Sequence, residues 1–162
     1  MTHPAHEAAA EAAAQEARLL FDSFDHEEAW RLGTLMVDRA LREGAPVIIE
    51  IRRPNLVLFR AAMPGATAEN EAWLERKART VFRFEASTAL LSAQFAAQGV
   101  DPWNAPWFDT DSFTTAGGAV PVRVRGVGVV AAVTVSGLTS EEDHDFVIES
   151  LSGFLQGQGA AA

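Results

Sequence analysis

The stretch VIIEIRRPNLVLFRA, running from Val47 to Ala61, decides the fold. Val47-Ile48-Ile49-Glu50-Ile51 is a β-branched run that predicts a strand, and Leu56 to Ala61 predicts a second. Between them, Arg52-Arg53-Pro54-Asn55 is turn material. A connection this short can only return the chain antiparallel, because parallel neighbours need a long crossover. The same logic applies further on. Ala119 to Val124 and Val129 to Ser136 read as strands joined by a tight turn at Arg125-Gly126.

Helices are expected around both hairpins. Glu7 to about Phe21 is dominated by strong helix formers, with an apolar side made largely of alanine. Asp25-His26-Glu27-Glu28 has the form of a capping box and opens a helix to about Arg42, stopped by Gly44 and Pro46. Thr67 caps a third, and a further helical stretch spans about Glu85 to Ala97. These two stretches read either as one kinked helix or as two. Thr139-Ser140-Glu141-Glu142 is another capping box, opening a helix to about Leu155. The order predicts an α/β (α+β) domain, an antiparallel sheet with helices packed on both faces. The expectation is a single domain over 1–162, with an ordered core at 7–156 and loose termini. Residues 101–112, with two Pro and two Trp, read as an ordered loop whose Trp103 and Trp107 lie against something.

Composition narrows the function. The chain has no cysteine, which excludes disulfides, thiolate metal sites and cysteine nucleophiles and suits a reducing, cytoplasmic setting. A net charge of −9 argues against nucleic acid and anionic membranes as partners. No apolar run approaches the ~20 residues that a membrane helix needs.

The candidate site residues fall in three places. Asn70, Trp73 and Lys77 recur at helical spacing with Arg76 adjacent, so an aromatic and cations could grip a planar or anionic ligand. Gly117-Gly118 reads as a turn or a close backbone approach, and only loosely as a phosphate loop. Ser136-Gly137 and Asp143-His144 bracket the junction of the last strand and helix. His144 reads either as a surface imidazole beside an acidic cap or as a general base, hydrogen-bond donor or ligand. One such histidine does not make a catalytic metal centre, so no metal site is expected.

Taken together, Asn70, Trp73, Arg76 and Lys77, then Gly117-Gly118, then Val135-Ser136-Gly137-Leu138, then Glu142-Asp143-His144, resemble the haem-degrading-domain family of GlcG-like and HbpS-like proteins, in its cytoplasmic branch. The resemblance implies a profilin-like fold with a five-stranded antiparallel sheet, homo-oligomerisation, and haem as a cofactor. Lacking Cys and Tyr, the chain would offer His144 as the axial ligand. The combined reading is an oligomeric protein that binds haem or a small anion at these residues. An enzyme acting on haem or another small molecule, and a non-catalytic interaction scaffold, are the alternatives.

Overall fold

A computed structural model of the chain describes residues 3–161. Its centre is a five-stranded sheet in the order β1-β4-β5-β2-β3. The strands are β1 (Leu20–Phe21), β2 (Ile48–Arg53), β3 (Leu56–Ala62), β4 (Ala119–Val124) and β5 (Gly128–Ser136). The helices are α1 (Pro4–Ala17), α2 (His26–Glu43), α3 (Ala68–Phe84), α4 (Thr88–Gln98) and α5 (Ser140–Ala161).

Both expected hairpins form: β2 pairs antiparallel with β3, and β4 with β5. The two hairpins join through an antiparallel β2–β5 ladder. The sheet is nevertheless mixed, because β1 pairs parallel with β4. This corrects the all-antiparallel expectation. Leu20–Phe21 was expected to end the first helix; instead α1 stops at Ala17 and the chain turns extended. Phe21 gains full burial beside Phe24 and Phe154, which outweighs local helix propensity. A strand of two residues carries no periodicity for a sequence reading to detect.

Residue alternation along the strands sends two different surfaces to the two faces. On one face, Ile49, Ile51, Val120, Val122, Val133 and Val135 meet Leu32 and Met36 of α2 and Val147 and Leu151 of α5, forming the main core. On the other, Ala119 and Ala132 pack under Val81 of α3. Glu50 also lies on this second face and is fully buried. Its carboxylate accepts from Arg60 Nε at 2.7 Å, and Arg60 and Arg52 both reach Glu75 of α3. Burial pushes the Glu50 carboxyl up, opposed by the two arginines. The network anchors α3 across the first hairpin.

α3 and α4 are two helices. Glu85 adopts a left-handed conformation, φ 53°, and Ser87 then caps α4. The buried carboxylate of Glu16 on α1 accepts from Ser87 N with both oxygens at 3.1 Å and from Arg123 of β4 at 2.8 Å. The alanine side of α1 therefore packs on α4 of its own chain. His3 caps α1, and α5 continues to Ala161, since no proline or left-handed glycine stops it. Among the described residues, no helix is long and apolar enough to cross a membrane.

Gly137, at the end of β5, has φ +150°, and a Cβ there would overlap the Pro46 carbonyl and lie 2.9 Å from Val47 Cα. Gly137→Ala is expected to lower stability by about 2–3 kcal/mol. Gly99→Ala, left-handed at φ +68° but with open space around it, should lose only about 1 kcal/mol. Urea denaturation of both variants checks this, and equal losses would contradict the packing account.

Candidate functional site

The site begins with α3. Thr67 caps this helix and Asn70 completes the box: Asn70 N donates to Thr67 Oγ1, and Thr67 N donates to Asn70 Oδ1 at 2.8 Å. One turn on, Trp73 and Arg76 lie three residues apart on one face. The Arg76 guanidinium stacks over the Trp73 ring at 3.9 Å, and its Nη1 donates to Thr110 O at 3.4 Å.

Lys77 points elsewhere. It is buried, and its Nζ donates to Asp143 Oδ2 at 2.8 Å and to Val135 O at 3.0 Å. Asp143 is equally buried, and its other oxygen accepts from Leu138 N at 3.0 Å. One carboxylate thus closes the β5–α5 junction and neutralises an ammonium delivered from α3. Burial pulls the Lys77 ammonium below its ordinary range, partly offset by Asp143.

The glycine pair fits around this ion pair. A Cβ on Gly118, at φ +132°, would lie 2.5 Å from Val135 O, 2.7 Å from Lys77 Nζ and 2.9 Å from Asp143 Cβ. A Cβ on Gly117 would overlap Ser140 O and come within 3.3 Å of His144 Cβ. Close backbone approach, not a phosphate loop, explains both residues.

Above the glycines lies a cavity of about 530 Å³. Trp73 and Arg76 of α3, Ala89 and Ser92 of α4, and Ser140, Glu141 and His144 of α5 form part of its wall. The segment Phe113 to Gly117 continues the wall, and Pro102, Trp103, Phe108 and Thr110 close it from the loop. Of the two loop tryptophans, Trp107 packs edge-on against Phe95 and Phe108. Trp103 does not lie against a surface as expected; it borders the cavity and is 76% exposed.

His144 contributes to the cavity wall, but its Nε2 is engaged elsewhere. Nε2 lies 3.2 Å from Gln15 Oε1 of α1. Nδ1 is buried with no hydrogen-bond partner. Burial pulls the imidazole below its ordinary value, opposed by Asp145 and Glu16.

The structure therefore brings Trp73, Arg76, Gly117 and His144 around one cavity. Lys77, Gly118 and Asp143 form a buried lock next to it. Ser136, buried and paired in register with Ile48, and Gly137, against Pro46, belong to the junction. Asn70 is committed to capping. Sequence reasoning missed Gln15, Phe108 and Phe113 as parts of the site. The aromatic content of the loop was the only available signal for the last two.

Asp143→Ala should leave the Lys77 ammonium buried without a partner, at a loss of about 3–5 kcal/mol, while the double variant Lys77→Met/Asp143→Leu should recover most of it. Thermal unfolding of both variants checks this, and an unchanged Asp143→Ala midpoint would contradict the lock.

Comparison with known proteins agrees with this architecture. Over 154 residues the chain is 44% identical to a UPF0303 protein of Streptomyces coelicolor, covering 95% of this chain and 98% of that one. The solved structure of Ybr137w protein superposes with a TM-score of 0.85 at 29% identity, covering 93% of this chain and 88% of that chain. A PduOC:heme complex superposes with a TM-score of 0.68 at 20% identity, covering 80% and 94%, a likeness of fold. Residues 24–152 match the family described as haem degrading protein HbpS-like, and the chain belongs to that family.

Proposed function

We propose that this chain is a small-ligand-binding protein whose ligand occupies the cavity between α3, the 102–117 segment and the start of α5. The observation that carries the reading is the Arg76 guanidinium, held over the Trp73 ring in the wall of a cavity of about 530 Å³. A stacked arginine loses little freedom on binding, and its remaining N–H groups favour an anionic group. The opening turn of α5, at Ser140 and Glu141, adds the positive end of a helix dipole to the same wall. The likeness to a PduOC:heme complex and the family's description make haem one ligand to consider, beside smaller anions.

The protein is also read as a homo-oligomer of the cytoplasm. Trp30 on α2 is 63% exposed and stacks edge-on against Phe59 of the edge strand β3. Leu41, Leu56 and Val57 are also exposed on these elements, and apolar surface of this kind supports self-association. The cysteine-free sequence supports a reducing compartment.

A thermal-shift screen of small carboxylates and phosphates tests the ligand reading, since binding to the folded state alone raises the unfolding temperature. At least one acid should stabilise the wild type. Arg76→Ala should weaken that acid roughly 10- to 100-fold, the worth of a charge-assisted hydrogen bond of about 1.5–3 kcal/mol. A screen in which nothing stabilises the wild type overturns the reading.

A further inference from the structure

The contents of the cavity wall narrow the ligand further, on the reading that this cavity is the ligand site. Charge comes first. Arg76 is the one cationic side chain among the described lining residues, and it faces a wall that also carries the acid Glu141. A ligand with one carboxylate finds one partner there; a second carboxylate would meet no second cation and would be repelled by Glu141. Shape and polarity come next. Trp103, Phe108 and Phe113 present aromatic surface to the same space, suited to a flat ring.

The wall is poor in groups that hold iron. Among the described lining residues there is no thiolate, phenolate or thioether, leaving His144 as the sole candidate axial ligand. Its Nε2 is held by Gln15, and its Nδ1 is closed off from solvent. The sequence has no Cys or Tyr, and Met36 and Met63 are buried in the main core. No group of three or more His, Cys, Asp or Glu among the described residues could hold a metal ion. The residues present do not fit a haem ligated axially through His144.

We infer that the cavity takes a metal-free aromatic monocarboxylate, its carboxylate on Arg76 and its ring against the aromatic wall, and that it does not hold an iron porphyrin through His144. Gln15 acts as the guard of this choice, because α1 keeps the imidazole Nε2 engaged.

Titration calorimetry with benzoate, 2-naphthoate and indole-3-carboxylate, each beside its neutral carboxamide, tests the first half. At least one acid should bind the wild type ten times or more tightly than its amide. Arg76→Gln should abolish that preference, and Arg76→Lys, which keeps the charge without the planar fork, should retain part of it. Haemin titration followed by absorbance tests the second half. Any Soret band in the wild type should be unchanged by His144→Ala, whereas Gln15→Ala should allow a band that His144→Ala removes. Equal binding of acids and amides, or a wild-type Soret band that depends on His144, overturns the inference and leaves the ligand site standing. Failure of all three acids together with haemin overturns the inference and counts against the ligand site as well.

Discussion

The ion pair between Lys77 and Asp143 is the contact on which the site's geometry depends. It joins α3, which lies on one face of the sheet, to the β5–α5 junction that leads to the other. Taking both charges out of water is expensive, and such a pair is weak evidence for net stability. Its value lies in position. Lys77 reaches Val135 O and Asp143 together, and Asp143 holds Leu138 N, so the start of α5 has one placement relative to α3. The glycines at 117 and 118 let the chain pass so close that a side chain at 118 would collide with Val135, Lys77 and Asp143, and one at 117 with Ser140.

α3 divides its work between neighbouring residues. Successive positions on a helix point about 100° apart. Lys77 is therefore directed into the interior while the adjacent Arg76 faces the cavity, where Trp73 lies beneath it. The Glu50–Arg60–Glu75 network on the far side of α3 keeps the helix from rolling, because it binds the same helix to the β2–β3 hairpin. Arg76 is thus presented by a helix fixed at two points, the kind of preorganisation that raises affinity by reducing what must be ordered on binding.

Much of this was legible in the sequence wherever the cause is local. The hairpins, the left-handed stop at Gly44, and the caps at Thr67 and Thr139 follow from neighbours in the chain, and each is present. Lys77 and Asp143 were both singled out as ligand contacts, and they form the buried lock beside the cavity. Asn70 illustrates the limit: helical spacing placed it with Trp73 and Lys77, but its position three residues after Thr67 gave it a competing role in the cap. β1, the docking of α1 and the Gln15–His144 contact depend on segments about 70 or more residues apart, for which no local pattern exists.

The central claim is that the locked junction exists to frame a ligand site. Native mass spectrometry of the protein purified from its own host tests it most directly, since it reads assembly and retained ligand in one spectrum. The account predicts an oligomer whose protomers carry a small organic acid, with no iron in the added mass, and loss of that mass in Arg76→Ala. Protomers of bare polypeptide mass, or an added mass equal to haem that vanishes in His144→Ala, would contradict it.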